Sequence, residues 1–128
     1  MKAMIKAAVG VALAWGFLYP VARANDMANQ NSGNNMLPYC KSLYDTSSDM
    51  TLTPETMLTS GKCVGVIQGV ISALTVVGII CPPKYYKVDQ LVKMTVKYIE
   101  DHPEKSNSEL SLLAMFTFTE AWRCNPKK

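Results

Sequence analysis

The stretch that decides the fold runs from Gly61 to Cys81 and reads GKCVGVIQGVISALTVVGIIC. It carries no charge after Lys62. Its polar residues recur at helical spacing and form one narrow stripe on an otherwise apolar surface: Gln68, Ser72 and Thr75. This pattern predicts a central helix that is packed on most of its sides.

Two other structures compete for the same stretch. Its Val and Ile content also suits β-strands, and the segment from Val64 to Ile80 is just long enough to span a membrane. The flanking cysteines and an inward-facing Gln68 favour a soluble core instead. Three glycines spaced by four share one helix face, where another backbone could approach closely: Gly61, Gly65 and Gly69.

Helices are also predicted before the central one. A short helix begins at Asn34 or Asn35 and carries Met36, Leu37 and Cys40, with Pro38 in its first turn, where proline is tolerated. Further along, Thr53-Pro54-Glu55 has the pattern of a helix start, with Thr as the N-cap and Pro at the first helical position.

Two more helices follow the central one, which Pro82-Pro83 is predicted to end. The segment from Val88 to Asp101 has an amphipathic stripe: Val88, Leu91, Val92, Thr95, Tyr98 and Ile99. Pro103 closes this helix. Ser106 and Glu109 then have the spacing of a capping box, so the last helix is predicted from about Asn107 to Trp122.

The last helix is apolar nearly all the way round, which predicts either a well-buried helix or one that forms part of a homodimer or partner interface. Taken together, these segments predict an all-α fold, a small disulfide-stapled bundle of about four to five helices.

The N-terminus has the pattern of a secretory signal peptide over residues 1–24. Lys2 and Lys6 precede an apolar run from Ala7 to Leu18, and Ala22-Arg23-Ala24 is an A-x-A cleavage site. An uncleaved anchor would need a longer apolar run. Residues 25–35 are polar and Asn-rich, which predicts a flexible leader, and the folded domain is placed at 36–128.

Charge argues against nucleic acid as a partner. The chain has 13 Lys and Arg and 10 Asp and Glu, and three of its cations (Lys2, Lys6 and Arg23) lie in the predicted signal. The mature chain therefore has a formal net charge of zero and lacks the electrostatic footprint of a nucleic-acid-binding protein. Once the signal is cleaved, no stable membrane insertion is expected.

An exported chain with four cysteines is expected to form two disulfides. Cys63 and Cys81 lie at opposite ends of the predicted central helix, about 27 Å apart at 1.5 Å per residue, which is too far for a disulfide. An up-down bundle favours Cys40–Cys63 with Cys81–Cys124. The alternative, Cys40–Cys81 with Cys63–Cys124, requires a different path for the last helix.

Nothing in the sequence indicates an enzyme. The one histidine, His102, lies beside Pro103 near a helix end, where a surface or capping role is more common than catalysis. No free thiol is expected to act as a nucleophile. There is no Cys-x-x-Cys pair or His cluster for a metal and no phosphate-binding loop, so no metal and no cofactor is predicted.

Several motifs are similar to those of one known family. They are Ser32-Gly33-Asn34-Asn35-Met36-Leu37 with Tyr39-Cys40, the run from Gly61 to Val70, Ile80-Cys81-Pro82-Pro83 with Val88-Asp89-Gln90-Leu91, the run from Val96 to Glu104, and Glu120-Ala121-Trp122-Arg123-Cys124. Together they resemble the Rap/Tai family of immunity proteins associated with bacterial type VI secretion. The chain departs from the family pattern at Val66, often an aromatic residue, and at Arg123, often a proline.

The resemblance implies a small, helical, disulfide-bonded periplasmic protein that is commonly a homodimer. It also implies a function: binding and blocking a cognate peptidoglycan amidase with a Cys–His active site, as an inhibitor and not an enzyme. The alternative is a periplasmic structural or chaperone-like helical protein without a toxin partner, to which the abundant methionines would be suited.

The candidate partner-binding segment is the junction between the last two helices, DHPEKSN, which contains Asp101, His102, Glu104, Lys105 and Asn107. A polar loop of this kind on a stapled scaffold would enter the cleft of the toxin and exclude substrate. The alternative is a purely structural helix turn, held by Pro103 and the capping box.

Overall fold

The computed structural model describes residues 29–45 and 50–125, which fold into four α-helices and one short 3-10 turn. These elements are α1 (Gly33–Lys41), α2 (Pro54–Val76), α3 (Val88–Asp101), the 3-10 turn (Pro103–Lys105) and α4 (Leu110–Trp122). In these two ranges the β contacts are two isolated bridges, and there is no strand. The all-α prediction is confirmed, and the predicted signal peptide lies outside the described residues.

Helix α2 joins the predicted helix start at Thr53 to the central helix predicted from Gly61, and it ends earlier than predicted. The hydroxyl of Thr53 accepts from the amide of Thr56 at 3.2 Å, and Pro54 opens the helix. Gly78 has a φ of 74°. The amides of Ile79 and Ile80 donate to the carbonyl of Leu74 at 2.9 and 3.3 Å. Since glycine adopts this left-handed conformation without steric cost, Gly78 ends α2, and Pro82-Pro83 only follow it.

The prediction that the central helix is packed on most sides is wrong. One face of α2 is buried, through Cys63, Ile67, Ile71 and Leu74. The opposite face is exposed, and a Cβ added at Gly61, Gly65 or Gly69 would meet nothing within 4 Å. The other three helices lie on one side of α2. By length and composition α2 could also cross a membrane, but core helices of soluble proteins pass the same test.

Helices α2 and α4 end at the same end of the bundle, and α3 starts there. The amide of Cys81 donates to the carbonyl of Trp122 at 2.7 Å, and the Tyr86 ring, just before α3, stacks on Trp122. In this up-down arrangement the segment after α2, which carries Cys81, lies beside the end of α4, which carries Cys124. The disulfides are Cys40–Cys63 and Cys81–Cys124, the pairs favoured from an up-down bundle.

Helix α1 begins one or two residues before the predicted start. Its N-cap is Ser32, whose hydroxyl accepts from the amide of Asn35, and Ser32 and Gly33 are buried. Pro38 therefore falls in the second turn. The predicted leader therefore overlaps the start of α1, where Ser32 and Gly33 are buried, and residues 25–28 lie outside the described range.

The core lies between the buried faces of the four helices. Its largest buried side chains are Phe118, Met36, Ile67, Ile71, Ile80, Leu91, Ile99, Leu110 and Leu113. The bounds of α3 are confirmed, and its predicted stripe is buried except for Val88. Helix α4 is not buried all round: Leu112 and Phe116 are 39% and 37% exposed. Burial on every side would need a neighbour on the outer face of α4, and residues 29–45 and 50–125 place none over Leu112 and Phe116.

Candidate functional site

The junction between α3 and α4 is a compact hydrogen-bonded turn. The amide of Lys105 donates to the carbonyl of His102 at 2.9 Å, and the Ser106 hydroxyl donates to the carbonyl of Pro103 at 2.6 Å. The amide of Ser108 then donates to the carbonyl of Lys105 at 2.8 Å. These short-range bonds hold the 3-10 turn in one conformation.

The start of α1 fastens the junction from outside. The amides of Gly33 and Asn34 donate to the carbonyls of Ser108 and Ser106 at 2.9 and 2.8 Å. These amides belong to the first turn of α1, where they have no partner within the helix. The Nδ2 of Asn34 also donates to Oδ1 of Asn107 at 2.8 Å. The junction therefore satisfies orphan donors of α1 while α1 fixes the position of the junction.

The predicted capping box is wrong. Helix α4 begins at Leu110 with Glu109 as its N-cap, and no side chain caps it. The Ser106 hydroxyl is engaged with Pro103 instead. The physical reason is the pairing with the segment before α1: Glu109 forms a β-bridge with Ser32, and the amide of Leu110 donates to the carbonyl of Asn31 at 2.8 Å.

A cluster of side chains supports the inner side of the junction. The His102 ring stacks on Tyr98 with centroids 4.2 Å apart, and Nδ1 of His102 lies 2.9 Å from the carbonyl oxygen of Tyr98. Because a carbonyl only accepts, Nδ1 carries the proton. Lys105 Nζ donates to the Tyr98 hydroxyl at 3.1 Å and lies 5.8 Å from the Phe116 ring centroid. The hydrogen bond with Tyr98 raises the pKa of Lys105.

The five predicted binding residues lie together on this junction, but they are not equivalent. Asp101 accepts from Lys97 at 2.9 Å. His102, Lys105 and Asn107 make the contacts just described and so contribute to the structure of the turn. Glu104 is exposed within the 3-10 turn.

An apolar groove between α2 and α4 was not found from the sequence. It measures about 540 Å³, and its lining is Val70, Ala73, Leu74, Ser108, Glu109, Ser111, Leu112 and Met115. The excess of apolar residues on the last helix was its one signal in the sequence. A more polar pocket of about 350 Å³ lies between α1 and α2, beside Tyr39, Glu55 and Lys62.

Two kinds of reactive group bear on chemistry at the site, free thiols and metal ligands. All four cysteines are paired in disulfides. In the two described ranges no three side chains of the His, Cys, Asp or Glu type come together as metal ligands. The junction presents the exposed carboxylate of Glu104 on a hydrogen-bonded turn.

These features define the class: a small all-α domain, stapled by two disulfides, that presents a rigid polar junction. The family model of the Rap1a immunity proteins matches residues 32–124. The chain belongs to this family, and membership implies an immunity function against a toxin that it binds. Searches of curated proteins and of solved structures found no match.

Proposed function

We propose that this chain is a periplasmic immunity protein that binds a cognate peptidoglycan amidase and blocks its active site with the α3–α4 junction. Family membership supports the immunity role. The observation that carries the assignment of the surface is that Glu104 is exposed on a turn that is held by hydrogen bonds on both sides. The protein acts by occlusion and performs no chemistry itself.

Rigid presentation is what an occluding loop requires. A loop that orders only on binding loses conformational entropy at that moment, and this loss subtracts from affinity. Here the turn is already fixed from within by Lys105 and Ser106 and from outside by Gly33 and Asn34. The toxin would therefore meet a preformed shape.

The compartment follows from the same proposal. The predicted signal peptide would deliver the chain to the periplasm, where both disulfides form and where amidases delivered by type VI secretion reach peptidoglycan. The two disulfides support an oxidising compartment.

We further propose that the active form is a homodimer in which the groove between α2 and α4 faces a second copy. The support is the exposed apolar surface of Leu112 together with Met115 and Val70 along the groove. Apolar surface of this kind is characteristic of interfaces. Such a dimer would cover Ser108 and Glu109 at the edge of the junction and leave Glu104, which does not line the groove, open to a toxin.

Co-expression tests the function as a whole. A Cys–His amidase encoded in a neighbouring reading frame, exported to the periplasm, should lyse the host unless this chain is present. Protection should disappear when residues 1–24 are deleted, because the protein would then stay in the wrong compartment. Lysis that the complete, exported chain does not prevent would instead favour a structural role without a toxin partner.

A further inference from the structure

The end of the bundle where α2 and α4 finish carries apolar side chains that no other part of the fold covers. We define the tip as residues 76–88 with Arg123. Val76, Tyr85 and Val77 are 86%, 82% and 66% exposed. Further exposed apolar side chains of the tip are Ile79, Tyr86 and Val88. This is the largest concentration of exposed aliphatic and aromatic side chains among the described residues.

The tip is held in place by contacts with the end of α4. The disulfide Cys81–Cys124 ties it to the end of α4, and the amide of Cys124 donates to the carbonyl of Ile79 at 3.2 Å. The Tyr86 ring stacks on Trp122 with centroids 6.1 Å apart. Exposure at the tip is therefore a feature of the packed fold.

The charges at the tip are cationic. Residues 76–88 contain Lys84 and Lys87 and no acid, and the bridge between Ile80 and Arg123 adds a third cation. The acids nearest along the chain are Asp89, which pairs with Lys93 at 3.8 Å, and Glu120. The apolar side chains are thus flanked mainly by positive charge.

We propose that the tip is a peripheral docking surface for an anionic lipid bilayer. Tyrosines that sit at headgroup level, aliphatic side chains that enter the acyl boundary and lysines that pair with anionic headgroups are the composition of membrane-surface segments. Protein interfaces, in contrast, are depleted in lysine. Binding is superficial, because the apolar tip is short and the disulfide keeps it attached to the bundle.

Vesicle co-sedimentation tests this docking surface. The chain is recovered from the periplasm, its N-terminus is determined by mass spectrometry, and it is mixed with vesicles of phosphatidylglycerol and phosphatidylcholine or of phosphatidylcholine alone. We expect sedimentation with the anionic vesicles only, weakened by salt. Replacing Lys84 and Lys87 by Gln should lower partitioning about fivefold for each lysine, and Val77→Asp should abolish it.

The matched control is Leu58→Asp, which puts the same charge on an exposed leucine near the other end of α2 and should leave vesicle binding unchanged. Circular dichroism checks that each variant is folded, and the lysine variants change no core residue. Failure of the wild type to bind anionic vesicles, or equal binding by the tip variants, overturns the proposal. A change of oligomeric state in Val77→Asp without vesicle binding by the wild type would assign the tip to a protein contact. The assay contains no toxin, so its result is independent of the proposed inhibition.

Discussion

The amide of Gly33 donates to the carbonyl of Ser108 at 2.9 Å, so the first residue of α1 is bonded to the segment that leads into α4. A Cβ on Gly33 would lie 2.9 Å from the carbonyl oxygen of Ser106 and 2.5 Å from a methyl group of Leu113. Glycine is therefore required for this close approach, and the junction depends on it.

The first prediction concerns this contact. Gly33→Ala should lower the free energy of unfolding by about 1–3 kcal/mol, because the added methyl group overpacks the junction. Urea denaturation of the oxidised protein measures the change. The control is Gly65→Ala, since a Cβ there meets nothing within 4 Å. Because Gly65 lies in an exposed helix interior, this substitution should raise the free energy of unfolding by as much as about 1 kcal/mol. Equal stability of Gly33→Ala and wild type would contradict the close approach.

The second prediction concerns the order in which the disulfides are reduced. Cys40 and Cys63 are fully buried, whereas Cys81 is exposed and Cys124 half-buried. A reductant under native conditions should therefore open Cys81–Cys124 first, as alkylation and mass spectrometry would show. Loss of this bridge opens a loop of 43 residues. The unfolded chain then gains conformational entropy, which lowers the free energy of unfolding by about 4 kcal/mol. Earlier labelling of Cys40 and Cys63 would contradict the burial.

The third prediction concerns pH. The hydrogen bond with Tyr98 raises the pKa of Lys105 above its ordinary value of 10.5. A group with a raised folded pKa contributes its full stability below the unfolded pKa and loses it as the pH rises through the folded value. The side-chain carbon resonance of Lys105 (Cε) should therefore titrate with a midpoint above 10.5, and the hydrogen bond should be lost only as the pH rises through that midpoint. A midpoint at or below 10.5 in wild type would show that Lys105 is not held by Tyr98 as described.

The fourth prediction concerns the proposed dimer. Leu112→Asp should convert a dimer to a monomer while the fold is retained, because the side chain is already partly exposed on the groove between α2 and α4. Sedimentation equilibrium measures the mass, and Leu58→Asp is the control with the same change outside the groove. A monomeric wild type, or a variant that remains dimeric, would exclude this interface.

The sequence predicted most where a single physical constraint was decisive. The length of a helix excludes a bridge between Cys63 and Cys81 and so left two pairings, of which the structure has the favoured one. The stripe from Leu91 to Ile99 has a strong period, and the bounds of α3 follow from it. Both inferences use information that lies within one segment.

Predictions failed where distant segments compete. Ser106 and Glu109 have the local spacing of a capping box, but hydrogen bonds from the start of α1 hold this segment in another conformation. Likewise, the apolar surface of α2 predicts burial without saying how many helices are available to cover it. The glycine face of α2, the groove between α2 and α4 and the tip are all exposed because the described part of the chain has too few helices to cover them.

The central claim is that the α3–α4 junction contacts the toxin through Glu104. Titration calorimetry against the neighbouring amidase, with its catalytic cysteine replaced by alanine, tests this most directly. Charge reversal at Lys105 would also break its bond to Tyr98, so Glu104→Lys is the cleaner variant, and Asp89→Lys at the other end of α3 is its control. We predict that Glu104→Lys weakens binding about tenfold or more without a change in the unfolding midpoint, while Asp89→Lys binds as wild type. Unchanged affinity of Glu104→Lys would contradict the assignment.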